Sequence, residues 1–127
     1  MAHLKRSIVE IKARENCLAQ ALIIGIAKLT NDSNYVTYRK GYMIRSVVNH
    51  LLATTGIDLT NGGGFPELMK FQEHFKEYRI VVFGGLNCDD KVFDGQVESE
   101  KRISLLYDFV SKHYHVMNNL TVAMTRR

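Results

Sequence analysis

The spacing of the hydrophobic residues changes part-way along the chain, and this change limits the folds open to it. Before Arg79 the hydrophobic residues recur mainly at helical intervals, whereas from Arg79 onward they form short β-branched and aromatic runs bounded by Gly and Asp. This order predicts an α+β domain with N-terminal helices packed on a C-terminal antiparallel sheet. The 127 residues suffice for one such domain and are too few for two, so residues 1–127 are taken as a single domain.

Three helices are predicted in the first part. The first follows Asn16, a residue type favoured at the N-cap, and its hydrophobic positions over 18–29 have helical spacing. The second runs from about Tyr42 to Thr55 and stops at Gly56. The third begins at Pro66, a residue favoured in the first turn of a helix. The predicted strands are 79–83, 91–95, 103–107, 113–117 and 121–124, preceded by a short strand within 3–12.

Composition excludes several classes of function. The net charge is +4, but the basic residues are scattered, which is typical of a solvated surface, so nucleic-acid binding by this domain is not expected. The longest hydrophobic run, near residues 19–27, is too short to span a bilayer. Two cysteines, without Cys-x-x-Cys or Cys-x-x-His spacing, predict neither a disulfide framework nor a metal site. We expect a cytoplasmic or nuclear protein without a cofactor.

Cys17 is the residue best placed for chemistry. At the start of the first predicted helix, free backbone N–H groups and the helix dipole favour a thiolate and can hold an oxyanion. Glu15 and Asn16 are neighbouring candidates for an oxyanion or orienting role. Cys88 is a poorer nucleophile, because two aspartates follow it and disfavour a thiolate. The alternative for Cys17 is a small buried hydrophobic residue, which is what most free cysteines are.

His113 and His115 are the candidate bases. They lie two residues apart in a predicted strand, so their side chains share one face, at the rim of the sheet. We favour His113 as the base and His115 as the group that orients it, but the opposite assignment stays open. Asn118 is a further orienting candidate, with Asp108 and Asn119 as alternatives. An ordinary surface imidazole is the commoner role of a lone histidine.

Gly62, Gly63 and Gly64 form the most flexible point of the chain. No Lys-Ser or Lys-Thr pair follows them, so the segment is not a P-loop. We expect these glycines to form a mobile rim beside a substrate cleft.

Two segments resemble known enzymes. Residues 16–18, which precede an Ala-rich helix, resemble the nucleophile segment of ovarian-tumour-type deubiquitinases. Residues 103–107, a short turn and then His113-Tyr114 resemble their closing histidine hairpin, where a polar residue two positions on, here His115, completes the triad. Viral tegument-type deubiquitinases, another papain-fold group, are similar too, and that resemblance would make His115 the base. The whole chain also resembles a segment that precedes the DNA polymerase of polinton-like mobile elements.

These resemblances imply a papain-like cysteine peptidase fold and a deubiquitinase that cleaves after the C-terminal glycine of ubiquitin. Cys17 would be the nucleophile and His113 the general base, with ubiquitin or ubiquitin chains as partner and no metal or cofactor. They also imply a domain excised from a longer polyprotein. The alternatives are a polyprotein-processing cysteine protease of a mobile element or virus, and a non-enzymatic nucleic-acid or polymerase-associated module.

Overall fold

The fold is α+β, as the hydrophobic pattern predicts, and the helices lie mainly before the sheet in the chain. The computed structural model describes residues 8–11, 15–85 and 89–117. Within these ranges there are four helices, α1 Cys17–Leu29, α2 Tyr35–Arg39, α3 Ile44–Thr55 and α4 Phe65–His74. The five strands are β1 Ile8–Val9, β2 Arg79–Gly84, β3 Asp90–Asp94, β4 Arg102–Asp108 and β5 His113–Met117.

The sheet is mixed, so the prediction of a purely antiparallel sheet is wrong. The strand order is β1-β5-β4-β2-β3, and β2 pairs in parallel with β4, Arg79 opposite Arg102. The hairpin of β2 and β3 returns the chain to the beginning of β2 (Val81 opposite Asp94). Residues 95–101 then lead to the other side of β2, so β4 starts beside the start of β2 and runs in the same direction.

Helix α1 lies over β4 and β5 and occupies the centre of the hydrophobic core. Leu22 and Phe71, from α1 and α4, are fully buried. They pack with the inward side chains of β2, β4 and β5, which are Ile80, Val82, Ile103, Leu105, Tyr114 and Val116. A second, smaller cluster occupies the opposite face of the sheet and contains Val81, Phe83, Leu106 and Met117. The sheet therefore has two buried faces, and only the first of them contacts α1.

Two local predictions need correction. Asn16 precedes α1 as expected, but it has a left-handed backbone and its side chain makes no capping hydrogen bond. The short helix α2 lacks buried residues, so it leaves no hydrophobic periodicity by which to predict it. Gly56 ends α3 in the left-handed conformation, as predicted. The predicted strand 121–124 lies outside the described residues. Within the described ranges every helix is too short or too polar to cross a membrane.

Asp94, at the end of β3, is expected to make stability fall with acidification. It accepts hydrogen bonds from Arg79, Gln96 N–H and Lys91, and the Arg79 bond is the main reason that its pKa lies well below the usual range. A lowered folded-state pKa stabilises the fold above the unfolded pKa of about 4, and that contribution is lost as the pH falls between about 5 and 2. Because solvent screens the pair, we expect Asp94→Asn to cost about 1 kcal/mol at pH 7.

Urea unfolding of the wild type and of Asp94→Asn at pH 7, 5 and 3 checks this prediction. The difference between the two proteins should shrink at pH 3. A difference that stays constant from pH 7 to pH 3 would show that the ionised carboxylate of Asp94 contributes nothing to stability.

Candidate active site

Cys17 begins α1 with its thiol half-buried against the core. Asn16 stands before it at φ 60°, and the carbonyl of Asn16 accepts the first helical hydrogen bond, from Gln20 N–H at 3.0 Å. The side chain of Asn16 makes no capping hydrogen bond, so the N–H groups of the first turn have no side-chain cap. The thiol therefore lies beside backbone donors at the positive end of a helix.

A cavity of about 430 Å³ opens beside Cys17. Its lining residues are Glu15, Asn16, Cys17, Leu18, Leu52, residues 57–60, Gly62, Gly63 and Lys112. Glu15 and Asp58 are exposed and give the cavity two carboxylates. The hydroxyl and the N–H of Thr60 donate to Asp58 and lower its pKa, so this carboxylate is ionised at neutral pH. Asp58 was not predicted, because it follows Gly56 in a stretch without periodicity or a recognisable motif.

The glycine segment forms one wall of this cavity. Gly62 has φ 87°, a conformation that favours glycine, and Gly63 packs so closely on Leu18 that an added Cβ would lie 2.5 Å from Leu18 Cδ2. The hydroxyl of Tyr114 donates to the carbonyl of Gly63 at 2.7 Å. Gly64 is not among the lining residues; it precedes α4, and its N–H donates to Glu67 at 2.8 Å. Two of the three predicted cleft glycines therefore line the cavity, and Gly63 is held between Leu18 and Tyr114.

His113 and His115 lie on the other face of the sheet from α1. Side chains alternate along a strand, so Tyr114 and Val116 join the core under α1 while the two histidines point away. Their rings, 5.2 Å apart, line a second, more open cavity of about 640 Å³. The other residues that line it are Glu10, Ile11, Asp108, Ser111 and Lys112. The prediction that the histidines share a face is confirmed, but this structure does not bring Cys17 and an imidazole together.

The two imidazoles are held differently. His115 accepts a hydrogen bond at Nδ1 from Ile11 N–H at 3.0 Å. Burial, followed by the nearby His113, lowers the pKa of His115, so its ring is neutral at pH 7. His113 Nε2 is buried and has no partner among the residues that the structure describes. His115 is therefore tied to the chain before α1, whereas the described residues leave the buried Nε2 of His113 without a hydrogen bond.

Lys112 connects the two cavities. It lines both of them and directly precedes His113. Its backbone lies in the left-handed region at φ 58°, which costs a residue other than glycine about 1–2 kcal/mol. The turn between β4 and β5 is therefore strained at the residue that directly precedes His113.

Tyr114 is the aromatic side chain that does face the nucleophile. Burial, and then the neighbouring Tyr107, Cys17 and Glu67, raise the pKa of its phenol. The hydroxyl thus stays protonated at neutral pH, where it can donate a hydrogen bond but cannot take a proton from a thiol. The sequence already shows that Tyr114 stands between the two histidines, in β5, which we call the histidine strand. Only the pairing of β5 with β4, in which Tyr114 lies opposite Tyr107, shows which way its side chain points.

The other predicted site residues are divided between the two cavities. Glu15 and Asn16 line the Cys17 cavity, and Asp108 lines the histidine cavity. Asn118 and Cys88 lie outside the described residues. In the described part of the chain, no group of three or more His, Cys, Asp or Glu side chains is arranged to hold a metal ion.

Comparison of the chain with protein-family models, with curated proteins and with solved structures finds no match.

Proposed function

We propose that the chain is a cysteine-dependent deubiquitinase with a papain-like arrangement of helix, sheet and cleft. The observation that carries the proposal is the place of Cys17: it is the first residue of a central helix, is half-buried, and lines a cavity together with Gly62, Gly63 and Lys112, the turn residue that precedes His113. A thiol in that setting has backbone donors for an oxyanion and space for an acyl group.

The cavity suits an extended tail that ends in Gly-Gly. Gly62 and Gly63 bring main chain, without side chains, close to Cys17, and this favours a narrow substrate. Glu15 and Asp58 place negative charge at the same cavity, which complements the basic residues of a ubiquitin tail even though the whole chain carries a net charge of +4. Lys112 lines the same cavity and offsets one of the two carboxylates, so the cavity as a whole carries one net negative charge.

The proposed reaction is acyl transfer. An imidazole accepts the proton of the Cys17 thiol, and the thiolate attacks the carbonyl of the terminal glycine. Collapse of the tetrahedral intermediate breaks the C–N bond, and the imidazolium gives its proton to the leaving amine. Water then hydrolyses the thioester with the same imidazole as base, which releases the carboxylate and restores the thiol.

His113 is the imidazole that we assign to this step, in a conformation that substrate binding completes. It follows Lys112, which already lines the Cys17 cavity, and its buried Nε2 lacks a partner within the described residues. Catalytic hydrogen bonds are often absent or long before substrate binds. Tyr114 cannot replace the imidazole, because its raised pKa keeps it protonated.

An electrophilic ubiquitin probe tests the proposal. We expect a covalent adduct with the wild type, mapped to Cys17 by mass spectrometry of peptides, and an equal adduct with Cys88→Ser as the matched control. Cys17→Ala should give none. An adduct that persists in Cys17→Ala, or wild-type protein that stays unmodified, would contradict it. Cleavage of peptides from a polyprotein in which such a segment precedes the polymerase, without any ubiquitin adduct, would favour a processing protease with the same nucleophile.

A further inference from the structure

A single hydrogen bond joins the histidine strand to the glycine wall of the cavity. The Tyr114 hydroxyl donates to the Gly63 carbonyl at 2.7 Å, a length typical of a good O–H···O bond. Tyr114 is 4% exposed and its ring contacts that of Tyr107, with centroids 4.8 Å apart, so the donor has little freedom to move. Packing therefore holds the hydroxyl beside the Gly63 carbonyl.

Gly63 is held from its other side by the helix that carries the nucleophile. An added Cβ would lie 2.5 Å from Leu18 Cδ2 and 3.1 Å from Leu18 Cβ, so the Gly63 backbone rests directly on the residue after Cys17. Leu18 is 1% exposed and cannot retreat without disturbing the core. The wall is thus fixed between Tyr114 and Leu18, and its distance from the thiol is fixed with it.

We propose that Tyr114 is a positioning residue that sets the width of the Cys17 cavity, through the Gly63 carbonyl, so that only a substrate with glycine beside the scissile bond fits. This inference rests on the proposed function for its substrate, whereas the hydrogen bond and the packing are independent of it. Tyr114 donates and does not exchange protons, since burial raises the pKa of its phenol. Its contribution is to recognition, and the chemical step belongs to other groups.

Tyr114→Phe tests the proposal, with Tyr107→Phe as the matched control, since Tyr107 contacts the same ring and donates no hydrogen bond to a described residue. With a fluorogenic ubiquitin conjugate, Tyr114→Phe should raise KM about three- to tenfold and leave kcat within about twofold. Discrimination against a conjugate with alanine as its last residue should fall by a similar factor. Unchanged KM and discrimination, or a loss confined to kcat, would overturn the proposal.

A thiol-reactivity measurement separates this proposal from the proposed function. In a Cys88→Ser background, Cys17 is the only thiol, and its alkylation by iodoacetamide and by a bulky maleimide is compared. Tyr114→Phe should raise the maleimide-to-iodoacetamide rate ratio about three- to tenfold, and Tyr107→Phe should leave it unchanged. A raised ratio in a protein that cleaves no ubiquitin conjugate supports the positioning role and rejects the peptidase. An unchanged ratio rejects the positioning role.

Gly63→Ala provides a second variant should Tyr114→Phe unfold. The added methyl group would clash with Leu18 and push the Gly63 backbone away from it, while the Tyr114 side chain stays unchanged. We expect the same direction of change in the alkylation ratio. A melting curve identifies folded variants before either assay, and a folded Gly63→Ala protein with a wild-type ratio would count against the proposal.

Discussion

Alanine at Cys17 is expected to abolish cleavage of a ubiquitin conjugate, and alanine at His113 to lower kcat/KM by about 10²- to 10⁴-fold. Without the thiol no thioester forms, whereas without the base no imidazole accepts the thiol proton or returns it to the leaving amine. His115→Ala should cost less, because His115 acts through His113. Steady-state cleavage of a fluorogenic conjugate measures all three, with Cys88→Ser as the control for loss of a cysteine.

The same variants distinguish the alternatives for the base. A larger loss in His115→Ala than in His113→Ala would make His115 the base, as the resemblance to the viral enzymes implies. His115 would then have to release the hydrogen bond from Ile11 N–H. Full turnover in both variants would show that neither imidazole takes part, and this result would contradict the proposed mechanism.

Gln72→Ala is expected to lower the free energy of unfolding by about 3–5 kcal/mol. Gln72 lies in α4, is 7% exposed, and its amide nitrogen donates to the carbonyls of Phe75 and Tyr78 at 3.0 and 2.8 Å. Its oxygen accepts from Ile80 N–H at 2.9 Å. The Phe75 carbonyl still accepts from Tyr78 N–H, but alanine removes the side-chain partner of the buried Tyr78 carbonyl and of Ile80 N–H, at about 1–3 kcal/mol for each group, and adds a cavity.

Chemical denaturation of Gln72→Ala beside Glu73→Ala checks this prediction. Glu73 is the next residue of the same helix and is exposed, so its replacement should change stability by less than about 0.5 kcal/mol. Equal midpoints for the two variants would show that the hydrogen bonds of Gln72 have no net effect. A partly unfolded Gln72→Ala protein at room temperature agrees with the prediction.

The elements with regular hydrophobic spacing were predictable, and the sheet topology was not. The apolar positions of α1 follow helical spacing, and the β-branched run of β2 is buried on both faces of the sheet, so the sequence indicates both elements directly. The parallel pairing of β2 with β4 depends on the path of residues 95–101, which has no periodicity to indicate it. Gln72 likewise reads as a surface residue, because its three backbone partners become close only after α4 packs on β2.

The candidate site also depends on how the elements pack, which the sequence does not show. The sequence indicates correctly that His113 and His115 share a face and that Cys17 starts a helix. It cannot indicate which face of β5 meets α1, since a shift of one residue moves every side chain to the other side. The face of β5 that meets α1 carries Tyr114, so Tyr114 lies on the side of the thiol and the two histidines lie in the neighbouring cavity.

The proposed mechanism requires a histidine of β5 to reach the Cys17 sulfur when substrate is bound. A crystal structure of the protein joined to the electrophilic ubiquitin tests this most directly, through the distance from Cys17 Sγ to the imidazole nitrogens. We expect a His113 nitrogen within about 4 Å of the sulfur, with the 109–112 turn rearranged. An adduct in which both rings remain on the far face of the sheet, with Ile11 N–H still bound to His115, would contradict it.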